Sequence, residues 1–171
     1  ANFSTLYGIS GFSGAVVAAK GLPNIWVSFV AFTAPWLGGL ATLLLNDYFD
    51  RKVDRHIRPW RPLVSGKMKA EYILAPAFVA IGFGFFLTIS LFNFACLLVA
   101  LIVASSVFTY NISKKKRYIA HMILATSTAL GPVYGYAAVN EITLETFPLV
   151  LVMGLMIFLD GLSLALLASI P

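Results

Sequence analysis

Six long apolar stretches, at roughly residues 2–19, 24–45, 71–92, 94–110, 118–139 and 146–168, leave this chain few ways to fold. A helix needs about 20 apolar residues to cross the hydrocarbon core of a bilayer. In lipid every backbone N–H and C=O must find its partner inside the protein, so only helices and closed barrels span. Strict apolar–polar alternation is missing and the runs are long, which selects helices. Hydrophobic residues make up 60% of the chain and charged ones 11%, against about 25% charged in soluble domains. The expected fold is therefore all-α, a polytopic transmembrane helical bundle of about six helices, with residues 1–171 forming one domain.

The charges are confined to the gaps. The net charge is +5, but the basic residues sit beside apolar spans and point to membrane lipids as partners, with no nucleic acid. Lys20 lies alone between the first two spans. Arg51, Lys52, Arg55, Arg58, Arg61, Lys67 and Lys69 follow the second, and Lys114, Lys115, Lys116 and Arg117 follow the fourth. Alternate loops share one face of a membrane, and Lys/Arg excess marks the cytoplasmic one. We therefore expect an integral protein of the cell membrane with cytoplasmic loops near 46–70 and 110–118 and both termini on that side. The first apolar run has no basic leader and reads as a span, not a secretory signal. Cys96 is the single cysteine, so there is no disulfide framework.

"NDYFDRKVDRHIRPWRPLVSG", residues 46–66, concentrates the polar chemistry. If the second span continues through it as a helix, Asn46, Asp47, Asp50 and Asp54 fall within a face of roughly 100°. Three carboxylates on one face repel unless a cation lies between them. A hard divalent cation such as Mg²⁺ suits such oxygen donors and bridges them to substrate phosphates. Pairing with Arg51, Lys52 and Arg55 is the plainer alternative, and exposed pairs of that kind contribute only ~0–1 kcal/mol. Next, "RPWRPLVSG" puts Arg58 and Arg61 in a Pro-stiffened segment that ends the helix. The planar guanidinium fork matches phosphate oxygens. Tyr110 and Lys114 stand four apart on one helix face beside the other basic loop.

These pieces resemble the UbiA-type intramembrane prenyltransferases. Asn46, Asp47, Asp50 and Asp54 match that family's N-D-x-x-D-x-x-x-D motif, "RPWRPLVSG" its R-P-x-R-P-x-x-S-G segment, and "YNISK" its Y-x-x-x-K signature. The resemblance implies a typically nine-helix fold with a second aspartate-rich motif after the sixth helix. There this chain reads "FLDGLSLALLASIP", with Asp160 alone, and Ala120-His121 stands where a Gly-Asn pair is common. We accordingly expect a partial member of the family, with further residues before Ala1.

By that resemblance the chain is an enzyme that moves a prenyl group from an isoprenyl diphosphate to a lipophilic acceptor, with Mg²⁺ as cofactor. Asp47, Asp50 and Asp54 would be the catalytic metal ligands, and Asn46, Arg58, Arg61, Tyr110 and Lys114 would contact the diphosphate. "NDYFDRKVDR…RPWRPLVSG" looks most like the archaeal enzymes that transfer geranylgeranyl to geranylgeranylglyceryl phosphate. Aromatic or chlorin acceptors of the quinone, haem O and chlorophyll pathways are the alternative. A non-catalytic remnant lacking the second motif is another, and a small transporter ranks last because the spans carry so few ionisable residues.

Overall fold

A computed structural model describes residues 3–91, 93–113 and 117–144, and beyond them residues 147–148, 151–152, 154–156, 158–159 and 163. Side chains of residues 3, 112, 113, 117–121 and 124 fall outside the description. The described chain is helical: α1 (Phe3–Ala19), α2 (Ile25–Ile57), α3 (Glu71–Ile89), α4 (Phe94–Ser113) and α5 (Arg117–Ala137). Helical residues recur between 147 and 163, within the sixth expected span. Among the described residues three helices are long and apolar enough to cross a membrane: α2, α3 and residues 94–111 of α4. Exposed Phe78, Val79, Phe83 and Phe86 give α3 an apolar outer surface.

Sequence explains the helix ends. Asn24 caps α2, its side chain accepting from the Val27 N–H at 2.9 Å, which satisfies one orphan donor of the first turn. The helix then runs 33 residues, about 50 Å, so its last turns extend beyond the apolar span at 24–45. It closes when the Arg58 N–H donates to the Asp54 carbonyl at 2.7 Å, immediately before Pro59, which cannot donate onward. Asn93 governs the α3–α4 turn. Its Oδ1 accepts from the N–H groups of Ala95 and Cys96, and its Nδ2 donates to the Ala137 carbonyl at 2.6 Å.

Packing follows a ring. α3 lies on α2, α2 on α1, α1 on α5 and α5 on α4, while α3 and α4 touch sparingly. Glycines make the α1 contacts close. A Cβ on Gly135 would run into the Gly11 carbonyl oxygen, and one on Gly14 into the Pro132 carbonyl oxygen. Small residues that let backbones approach are how helices pack where the hydrophobic effect between them is weak. The core, including Val30, Ala34, Leu37, Ala80, Leu87, Val99 and Tyr134, fills the ring.

Candidate active site at the charged end of the bundle

The acidic face forms as its spacing requires. Because α2 stays helical to Ile57, Asn46, Asp47, Asp50 and Asp54 project from one side of it. Residues 58–68 then fold back by short turns: Arg61 N–H to the Arg58 carbonyl, Val64 and Ser65 N–H to the Arg61 carbonyl, Met68 N–H to the Pro62 carbonyl. Gly66 takes the positive φ of +75° that the reversal needs. This returns Arg61 to the helix. One guanidinium nitrogen donates to Asp47 Oδ1 and to Asp54 Oδ2, each at 2.7 Å. The Asp54 side chain is 9% exposed, Arg61 30% and Asp47 48%. Asp54 is therefore the anchored member of the set, and burying its charge requires this partner.

Asp50 lies on the flank towards α4, within electrostatic reach of Tyr110. Tyr110 in turn is within reach of Tyr7 on α1. Asn46 is half-buried and follows Leu45, which lines an apolar cavity inside the ring. Arg58 is exposed, with no side-chain contact to the carboxylates among the described residues. Lys114, Asp160 and the His121 side chain lie outside the described residues. Local pairing with Arg51 does not neutralise the face at Asp47 or Asp54. Arg51 instead donates to the Tyr48 carbonyl at 2.8 Å and lies 3.9 Å over the Tyr48 ring.

The donor set suits a divalent cation in a particular way. Among the described residues no three His, Cys, Asp or Glu side chains are grouped to hold a metal ion. What converges is a pair of carboxylate oxygens on a single cationic nitrogen. Mg²⁺ is commonly bound by one or two carboxylates, with substrate phosphates and water completing its shell. Asp47 and Asp54 fit that pattern, with Asp50 beside them.

Beneath the charged end the cavity extends between α2, α3, α4 and α5, and Tyr7 of α1 also lines it. Its wall is apolar apart from a few hydroxyls. Tyr7, Thr88 and Tyr134 carry no signal in the sequence, since polar residues inside spans look like packing residues until their neighbours are known.

The charged side chains thus gather at one end of the bundle, beyond the apolar cavity inside it. Residues 7–170 match the UbiA prenyltransferase family. The chain belongs to that family. Digeranylgeranylglyceryl phosphate synthase of Thermococcus kodakarensis is 35% identical over 142 residues, covering 81% of this chain and 50% of that protein. The Pyrococcus furiosus synthase of the same name is 33% identical over 147 residues, 83% of this chain and 51% of the relative. The 4-hydroxybenzoate octaprenyltransferase of Citrobacter koseri is 28% identical over 127 residues, 73% and 44% respectively. A solved structure from work on digeranylgeranylglyceryl phosphate synthase in membranes superposes with a TM-score of 0.79 at 25% identity, over 92% of this chain and 55% of that one. The chain spans about half the length of the curated relatives it matches. It is an integral membrane member of a family of prenyl-transferring enzymes.

Proposed function

We propose that this protein transfers a geranylgeranyl group from its diphosphate to geranylgeranylglyceryl phosphate, with the charged end facing the cytoplasm. The observation that carries the reading is the convergence of Asp47 and Asp54 on Arg61, on the part of α2 that continues from cavity-lining Leu45. Asp47 and Asp54, with Asp50 beside them, would hold Mg²⁺, which when bound supplies positive charge to stabilise a departing diphosphate. Arg61 is poised to leave the carboxylates for diphosphate oxygens, whose planar recognition suits its fork. Asn46 orients the same group, and Tyr110 offers a hydroxyl from α4. Arg58 and, by the match of "YNISK" to the family signature, Lys114 would add positive charge for the diphosphate. The apolar cavity takes the prenyl tail and keeps water from the allylic cation that forms as the C1–O bond breaks. The acceptor hydroxyl oxygen attacks C1 and loses its proton, giving an ether and free diphosphate.

Similarity to several digeranylgeranylglyceryl phosphate synthases supports the glycerophospholipid acceptor. Similarity to 4-hydroxybenzoate octaprenyltransferases supports an aromatic acceptor as the second reading. Protein in lipid nanodiscs, given geranylgeranyl diphosphate and either acceptor, separates them. The first reading expects an ether product from geranylgeranylglyceryl phosphate. Prenylated hydroxybenzoate alone would replace it with the second, and failure to prenylate either would remove both.

A further inference from the structure

The cavity has a built floor. From Leu45 and Val107 near the charged end it runs to Ala34, Thr88, Val99 and Tyr134 at the far end. Leu45 and Ala34 are eleven residues apart on α2, about 16 Å along its axis. Buried groups line the far end: Thr88 is 1% exposed and Tyr134 4%. The Thr88 hydroxyl donates to the Gly84 carbonyl at 2.8 Å. Its oxygen is therefore left to accept from the Tyr134 hydroxyl, 3.0 Å away. Tyr134 is thus fixed to α3, and its carbonyl accepts from Cys96 Sγ on α4 at 3.5 Å. One α-turn further along, Asn93 binds the Ala137 carbonyl. Three helix ends are cross-linked around the bulkiest side chain at the bottom of the cavity. A tail reaching further would have to break a satisfied buried hydrogen bond and displace an aromatic ring, both costly in a packed interior.

Resting on the function proposed above, we infer that Tyr134, braced by Thr88, is a specificity-determining residue that sets the longest prenyl chain the site accepts. The charged end binds the same diphosphate whatever the tail. Length discrimination therefore falls to the floor.

The test uses the full chain in nanodiscs with Mg²⁺ and a series of all-trans prenyl thiolodiphosphates differing by one isoprene unit, read as binding affinity. Wild type should bind progressively tighter up to a limiting length and at least tenfold weaker one unit beyond it. Tyr134→Ala should move that limit up by a unit, while Tyr134→Phe, which keeps the ring, should leave it in place. Ala100→Leu adds bulk to the cavity wall on α4, about one turn towards the charged end from Cys96, and should move the limit down. It keeps the question decidable if Tyr134→Ala does not fold. A limit that stays fixed in every folded variant, or a wild type that binds all lengths alike, overturns this inference and leaves the proposed function standing. A wild type that binds none of the series overturns both.

Discussion

The two ends of the bundle are held together by opposite means. At the far end neutral groups saturate one another: Thr88 with Tyr134, Asn93 with Ala137 and the first turn of α4, and glycine-lined α1 against α5. At the charged end, among the described residues, Asp47 and Asp54 meet through Arg61, and the segment carrying Arg61 is made of turns. The far end is complete without any ligand. The charged end joins like charges that require a cation, and that requirement suits a site whose substrate arrives as a charged diphosphate. The two ends thus differ in kind: neutral hydrogen bonds at one, charges at the other.

Breaking the charged end should cost activity more than stability. Asp47→Asn is expected to lower prenyl transfer by about 10²–10³-fold, a loss of the size seen when support for a developing negative charge is removed, here through the cation that Asp47 would hold. Since Asp47 is 48% exposed, its melting midpoint in detergent should shift by the equivalent of less than about 1 kcal/mol. Breaking the packed region should do the reverse. Gly135→Ala drives a methyl into the Gly11 carbonyl and is expected to destabilise by about 3 kcal/mol, read by unfolding in mixed micelles. Asp54→Ala sharpens the contrast within the charged end. It leaves partly exposed Arg61 with one exposed partner, and a loss of about 2 kcal/mol is expected, discounted from the fully buried case for solvent screening. The smallest effect belongs to Tyr134→Phe, about 1 kcal/mol of stability for one neutral hydrogen bond, read by the same unfolding measurement.

The acidic face was legible because helical spacing is local: Asn46, Asp47, Asp50 and Asp54 needed only that α2 continue past the apolar span. The helix stop before Pro59 and the break between the apolar stretches 71–92 and 94–110 were legible for the same reason. Arg61 as the group between Asp47 and Asp54 was not. It depends on how residues 58–68 turn back, and Arg58, likewise followed by Pro, remains exposed. The Thr88–Tyr134 bond joins residues on different helices, so no window of sequence contains it. Tyr7 likewise acquires meaning only once α1 is wedged between α2 and α5.

The central claim is that Asp47 and Asp54 bind a cation together with the prenyl diphosphate. Affinity for geranylgeranyl thiolodiphosphate, measured with and without Mg²⁺ in wild type and in Asp47→Asn/Asp54→Asn, tests it most directly. The account predicts binding that tightens at least tenfold with Mg²⁺ in wild type and shows no Mg²⁺ response in the double variant. Equal affinity in all four conditions would contradict it.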